Sequence, residues 1–256
     1  MKKTFVILEQ GCEPNYPLTT KHKEQFNTEF SDCFRLNWKE DRNDKNADFF
    51  KKDICWSEGR SYLYEQVKGK YDYYIFIDDD IKFYSRTELA PAEQIKESLE
   101  TYNPIHGSMP VNSWPGTPSW HQRPMDAGAV TMIGGDMCIQ FFSESFANLM
   151  FPTWCHGSQA SMYYAQFLAR MICPRRSIFL NLLSARNIRN DEHGDTNTTS
   201  LCLSYFRDML ISQKHKTMFW RWYNDQHTYK YTAVRPHKRC LNITAKDIEK
   251  YITKRL

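Results

Sequence analysis

The spacing of apolar residues along this chain switches repeatedly between two residues and three to four, which predicts strands alternating with helices. Residues 4–8 form an apolar run followed by Gly11, Pro14 and Pro17, the pattern of a buried strand entering a turn. In residues 34–38, Phe34, Leu36 and Trp38 alternate with Arg35 and Asn37, as in a second strand. Across residues 56–68, Trp56, Leu63 and Val67 share one helical face, and Gly69 supplies a stop. Tyr73, Tyr74, Ile75, Phe76 and Ile77 then make an unbroken strand that runs into three consecutive carboxylates, Asp78, Asp79 and Asp80. Pro91 opens a helix with Ile95, Leu99 and Tyr102 aligned, closed by Asn103 and Pro104.

Residues 110–124 break the rhythm. They carry four prolines, Gly116, Trp114, Trp120 and His121, the make-up of a long functional loop. Short strands are predicted over 129–133 and 137–142, and helices over 144–150 and 158–172. A buried strand follows over 178–183. Beyond Asn190 come a helix at 201–211, an aromatic and basic stretch, and a final helix capped by Thr244. This order predicts a Rossmann-like α/β/α sandwich with a mostly parallel central sheet and a C-terminal helical extension. The expected division is a core of residues 1–196, with residues 197–256 packed on it.

Composition narrows the class. With 256 residues, 15% aromatic and 25% charged, the chain can bury a full core and is not a disordered one. A net charge of +4 is too small to mark a nucleic-acid binder, and none is expected as a partner. The eight cysteines are scattered without a Cys-x-x-Cys pair, so reduced, mostly buried thiols are expected rather than zinc or a disulfide framework. The apolar start ends at Glu9, too early for a secretory core, and no run approaches the ~18 residues of a membrane span. A cytoplasmic protein is expected, with a peripheral contact at the inner membrane surface as an extension of that reading.

Three carboxylates in a row repel one another unless water or a cation screens them. A solvated turn would account for one aspartate but not for three after so apolar a strand. Mg²⁺ and Mn²⁺ take one or two protein carboxylates, with phosphate and water completing an octahedron. The stretch Tyr71-Asp72-Tyr73-Tyr74-Ile75-Phe76-Ile77-Asp78-Asp79-Asp80-Ile81 resembles the strand and DXD motif of GT-A-fold glycosyltransferases, which use nucleotide-sugar donors. The resemblance implies that Asp78 touches the nucleotide sugar and also serves the metal. It makes Asp80 the chief ligand of Mn²⁺ or Mg²⁺ and leaves Asp79 to serve either side. It implies further that Glu9, Gln10 and Gly11 receive the base and ribose of a nucleoside-diphosphate sugar, and that His193 completes the metal site. Gly134-Gly135-Asp136 and Trp154-Cys155-His156-Gly157-Ser158-Gln159 match looser features of the same family, the latter on the acceptor side.

Other candidates rest on the residues themselves. Arg60, early in its helix, can pair with the nucleotide or its phosphates, or simply lie exposed. No acidic residue falls between Trp154 and Phe167, where inverting members often carry their base, so Asp136 becomes the candidate general base. A strand-end turn is its plainer alternative. Trp114, Trp120 and His121 suit an acceptor-binding lid, or else pin their loop to the core. The basic and aromatic residues 214–239 read as a packed element, with lipid-linked or anionic acceptors as the second possibility. The function expected is metal-dependent transfer of a sugar from a nucleoside-diphosphate sugar to a glycan or lipid-linked glycan. Two alternatives stand beside it. One is a haloacid-dehalogenase-like phosphotransferase, disfavoured by Lys82 and by the strands that precede the motif. The other is a degenerate, carbohydrate-binding relative.

Overall fold

The computed structural model describes residues 2–111, 127–132, 138–152, 165–166, 168–170, 173–188 and 233–236. The first half of the chain runs β1 (Lys3–Gly11), α1 (Pro17–Phe26), β2 (Ser31–Asn37), β3 (Phe49–Phe50), α2 (Trp56–Val67), β4 (Tyr71–Asp78), β5 (Ile81–Ser85) and α3 (Pro91–Tyr102). There follow β6 (His106–Ser108), β7 (Ala129–Thr131), β8 (Ile139–Ser143), α4 (Glu144–Met150), a 3-10 turn (Pro174–Arg176), β9 (Ser177–Leu180) and β10 (Leu183–Asn187). Among the described residues, eight strands form one sheet in the order β3-β2-β1-β4-β8-β6-β9-β7, while β5 and β10 pair separately as an antiparallel ribbon. Pairing is parallel from β3 through β4 and between β6 and β9. It is antiparallel where β8 meets β4 and β6, and where β7 meets β9.

The unbroken apolar runs of β1 and β4 reflect a sheet covered on both faces. Alternation sends Val6, Leu8, Tyr74 and Phe76 into one layer with Leu63, Tyr64 and Val67 of α2 and Phe146 and Met150 of α4. Phe5, Ile7, Tyr73, Ile75 and Ile77 go to the other, with Phe26 of α1 and Ala92, Ile95 and Leu99 of α3. Helix ends follow local chemistry. Gly69, at φ 80°, succeeds α2, and Asn103 caps α3 in the left-handed region at φ 44°. Glu58 closes the N-terminus of α2 by accepting the Cys55 amide at 2.8 Å.

Three departures from the sequence reading matter. Residues 17–26, of which only Pro17 was read, as the end of a turn, are helix α1, the crossover that parallel pairing of β1 and β2 requires. The strand expected over 178–183 is two strands, β9 in the large sheet and β10 in the ribbon, parted at Asn181 and Leu182. β3, β5 and β6 were also not anticipated. Of the helix expected over 158–172, residues 165–166 and 168–170 are helical and the rest lie outside the described residues. The loop beyond Val111 and the helices expected at 201–211 and after Thr244 also lie outside them, although Ala233 bridges Val130 beside β7. Among the described residues no helix is long and apolar enough to cross a membrane.

Candidate active site

From β1 the chain steps outward through β2 to β3, then returns to place β4 on the opposite side of β1. Connections from neighbouring carboxyl ends therefore leave toward opposite faces, opening a crevice where parallel α/β sheets receive ligands. Gln10 and Gly11 end one of these strands, and Asp78 ends the other, with Asp79 and Asp80 in the turn beyond. Gln10 is the register partner of Asp78, and the Asp79 amide donates to the Gln10 carbonyl at 3.1 Å. On the far side of β4, the Asp78 amide donates to the Cys138 carbonyl at 3.1 Å. Strand parity continues to the tips, so Gln10 and Asp78 face the α2 layer while Glu9 and Asp79 face the α1 layer.

On the α2 side, Trp56 at the first helical position donates its indole N–H to Asp78 Oδ1 at 2.9 Å. With the Gln10 amide turned to match, its oxygen lies 2.6 Å from the same N–H and its nitrogen donates to the Trp56 carbonyl at 3.2 Å. One turn further, the Arg60 guanidinium stacks 3.7 Å from the Trp56 ring centroid and 5.7 Å from that of Phe76, with a terminal nitrogen 3.5 Å from Asp78 Oδ1. A flat guanidinium can sit fully buried between two rings in this way; an ammonium could not match that stacking. Arg60 thus addresses Asp78 from inside, while the Asp78 side chain keeps 29% exposure.

On the α1 side lies a buried polar network centred on Glu9, which is fully enclosed. Its carboxylate accepts from Thr19 and from Nδ1 of His22 (2.5 Å), both on α1, and from the guanidinium of Arg35, its register partner on β2. Burial alone would raise the Glu9 carboxyl, but His22, Arg35 and Thr19 outweigh it and hold the group below its ordinary value. Burial would likewise lower Arg35, yet Glu9, Asp79 and Asp44 raise it. Arg35 donates from Nε to Asp44 (2.8 Å), and both terminal nitrogens reach Asp79 Oδ2 at 3.4 Å. The Nε2 of His22 meets the Ile81 carbonyl at 2.6 Å. Asp79 lies close over Gly11: a Cβ there would stand 2.0 Å from Asp79 Oδ2.

Asp80 is 8% exposed, and its carbonyl accepts the Ile188 amide at 3.0 Å, where β10 ends against the start of β5. The structure thus gathers Glu9, Gln10, Gly11, Arg60, Asp78, Asp79 and Asp80 at one strand-end crevice. Within it, Glu9 and Arg60 point into the protein rather than into the opening. Asp136, His193, Trp114, Trp120, His121, Ser158 and Gln159 lie outside the described residues. Among the described residues no three potential ligands cluster as a metal site. By donor chemistry the carboxylates of Asp78 and Asp80 suit a hard octahedral cation that keeps water and phosphate, and do not suit tetrahedral zinc. Sequence reasoning missed Arg35, His22 and Trp56 as site residues. Arg35 held a polar alternate position of an apparently half-exposed strand, and Trp56 counted as an apolar face residue. The signal available was a lone cation at a strand end beside a lone buried-strand carboxylate.

No protein-family model and no curated protein matches this sequence. In three dimensions the chain is similar to GalNAc-T7, solved with UDP, GalNAc and Mn²⁺, at a TM-score of 0.50 and 9% identity over 88% of this chain. The fold is similar to that of GT-A glycosyltransferases. This GT-A-like chain spans 55% of the length of GalNAc-T7. Looser overlaps, which carry no weight here, are with a Bacillus anthracis protein described as a glucose-1-phosphate thymidylyltransferase (TM-score 0.40, 10% identity, 67% of this chain and 84% of that one) and with apo GlyE of Streptococcus pneumoniae TIGR4, a glycosyltransferase (0.36, 9%, 93% and 66%).

Proposed function

We propose that the protein is a metal-dependent glycosyltransferase that moves a sugar from a nucleoside-diphosphate sugar to a glycan or lipid-linked glycan acceptor. The observation that carries this reading is the position of Asp78, Asp79 and Asp80 at the switch point between β1 and β4, in a fold similar to that of GT-A enzymes. In this reading Asp78, steadied by Trp56 and Arg60, accepts from donor hydroxyls, and Gln10 borders the nucleotide. Asp80 and Asp78 would hold Mn²⁺ or Mg²⁺; such an ion, when bound, neutralises the departing diphosphate. Glu9 acts from beneath as support.

Two remoter assignments gain support from the paths of the chain. His193 comes five residues in sequence after Ile188, whose amide is bonded to the Asp80 carbonyl. Asp136 precedes by two residues Cys138, the partner of the Asp78 amide, and is the proposed general base for the acceptor hydroxyl. The lid of Trp114, Trp120 and His121 follows Val111, which bridges Ala185 on the ribbon. The acceptor roles of Ser158 and Gln159, and a peripheral membrane contact through the C-terminal region, belong to the same proposal.

The test is a thermal-shift screen of UDP-, GDP-, dTDP- and CMP-sugars with and without Mn²⁺. One donor class should raise the melting temperature, by about 2.7 kcal/mol of stabilisation at a hundredfold excess over Kd, and only with the metal present. Asp80→Ala should fold normally by circular dichroism and lose that shift. A full, metal-dependent shift in the variant would overturn the assignment.

A further inference from the structure

Asp80 offers a carboxylate from a two-residue turn, a poor way to hold a ligand unless the turn is fixed from outside. Four contacts fix it. The Asp79 amide is bonded to the Gln10 carbonyl and the Asp80 carbonyl to the Ile188 amide. The Asp79 carboxylate lies against Arg35, and the Ile81 carbonyl is held by His22. The last two share an origin: Arg35 and His22 both end on the one carboxylate of Glu9, through different oxygens.

We propose that Glu9, through Arg35 and His22, is the positioning centre that clamps the turn on both sides of Asp80 and thereby presents its carboxylate to a divalent cation. One arm runs from Glu9 through Arg35 to residue 79, the other from Glu9 through His22 to residue 81, and Asp80 is the residue between them. The first arm also assigns Asp79. Its carboxylate is turned under the α1 layer to Arg35, so of three consecutive aspartates the network removes the middle one from the ligand set. Glu9, Arg35 and His22 are essentially buried, so their action is on the turn. Neighbours that orient ligating groups typically set metal affinity within a factor of 10–100. This inference rests on the metal-site reading above.

The experiment measures Mn²⁺ affinity of the full chain from the electron paramagnetic resonance signal of free Mn²⁺, without donor or turnover. Arg35→Lys keeps a cation but loses the fork that spans Glu9 and Asp79. His22→Asn keeps the bond to Glu9 at the Nδ1 position but falls short of the Ile81 carbonyl. Both Arg35→Lys and His22→Asn should bind Mn²⁺ about tenfold more weakly. Leu99→Ala, a cavity on α3 remote from the turn, should lower the melting temperature and leave Mn²⁺ affinity unchanged. Parent-like affinity in Arg35→Lys and His22→Asn, with Asp80→Asn unable to bind, would overturn the clamp and spare the metal site. Parent-like affinity in Asp80→Asn, or none in the parent, would overturn both. A fall in affinity that tracks melting temperature through Leu99→Ala as well would reduce the network to general stability and overturn the clamp.

Discussion

At the scale of single residues, Gly11 and His106 show opposite uses of the interior. Gly11 is present because Asp79 needs its space. Gly11→Ala forces a Cβ to within 2.0 Å of a carboxylate oxygen, and overpacking of this kind costs roughly 1–3 kcal/mol. Urea unfolding should register that loss, and the cost should shrink when the same change is made beside Asp79→Gly, since the two residues share one volume. His106 is enclosed between Phe142 and Phe146, at ring centroid distances of 4.9 and 5.8 Å, and neither ring nitrogen has a hydrogen-bond partner among the described residues. Burial pushes its pKa down to about 3 from 6.5. The unfolded chain therefore binds a proton that the folded chain refuses, so stability from this residue is complete above pH 6.5 and is lost as pH falls toward 3. Between pH 7 and pH 5 the loss amounts to ~2 kcal/mol. His106→Leu should remove that part of the slope, measured as urea midpoints at the two pH values. Glu9 and Asp44, held below ordinary carboxyl values, add acid lability only at lower pH.

At the scale of elements, what the sequence revealed and what it hid have the same cause. The acidic strand was legible because Tyr73 to Ile77 is buried on both faces and its end is polar without transition. Helix α1 was not, because its inward positions are Leu18, Thr19, His22 and Phe26. Two of those four are polar, recruited to the Glu9 network, so the apolar stripe that announces a helix is half missing. β5 shows the period-two pattern in Ile81, Lys82, Phe83 and Tyr84, but it is short and follows the aspartates directly. Arg35 was misplaced for a related reason: alternation marks a polar position without saying whether a helix covers it. Helix α2 delivers both a stacking platform and a hydrogen-bond donor from its first turn. Trp56→Phe keeps the ring beneath Arg60 and removes only the N–H. It should cost about 1 kcal/mol of stability and should selectively reduce the donor-dependent thermal shift.

For the whole molecule, the strand order decides where chemistry can occur, and the sequence implied that order only by the alternation of its elements. The antiparallel insertion of β8 between β4 and β6 could not be read from it, since β8 looks like any short buried strand. The position of β8 has a use: Cys138, the residue just before it, supplies the carbonyl that holds the Asp78 amide. The crevice is thus bounded by β1 on one side and by a segment from much later in the chain on the other.

The bond from the Ile188 amide to the Asp80 carbonyl carries the same logic into the order of assembly. Strands β1 to β4 pair through short crossovers and can associate while the rest of the chain is still being made. The acidic turn, by contrast, is closed only when β10 returns to β5. The backbone of the acidic turn thus takes its outer bond from a segment far along the chain, so any change that loosens the β5–β10 ribbon reaches Asp80 without touching the parallel strands.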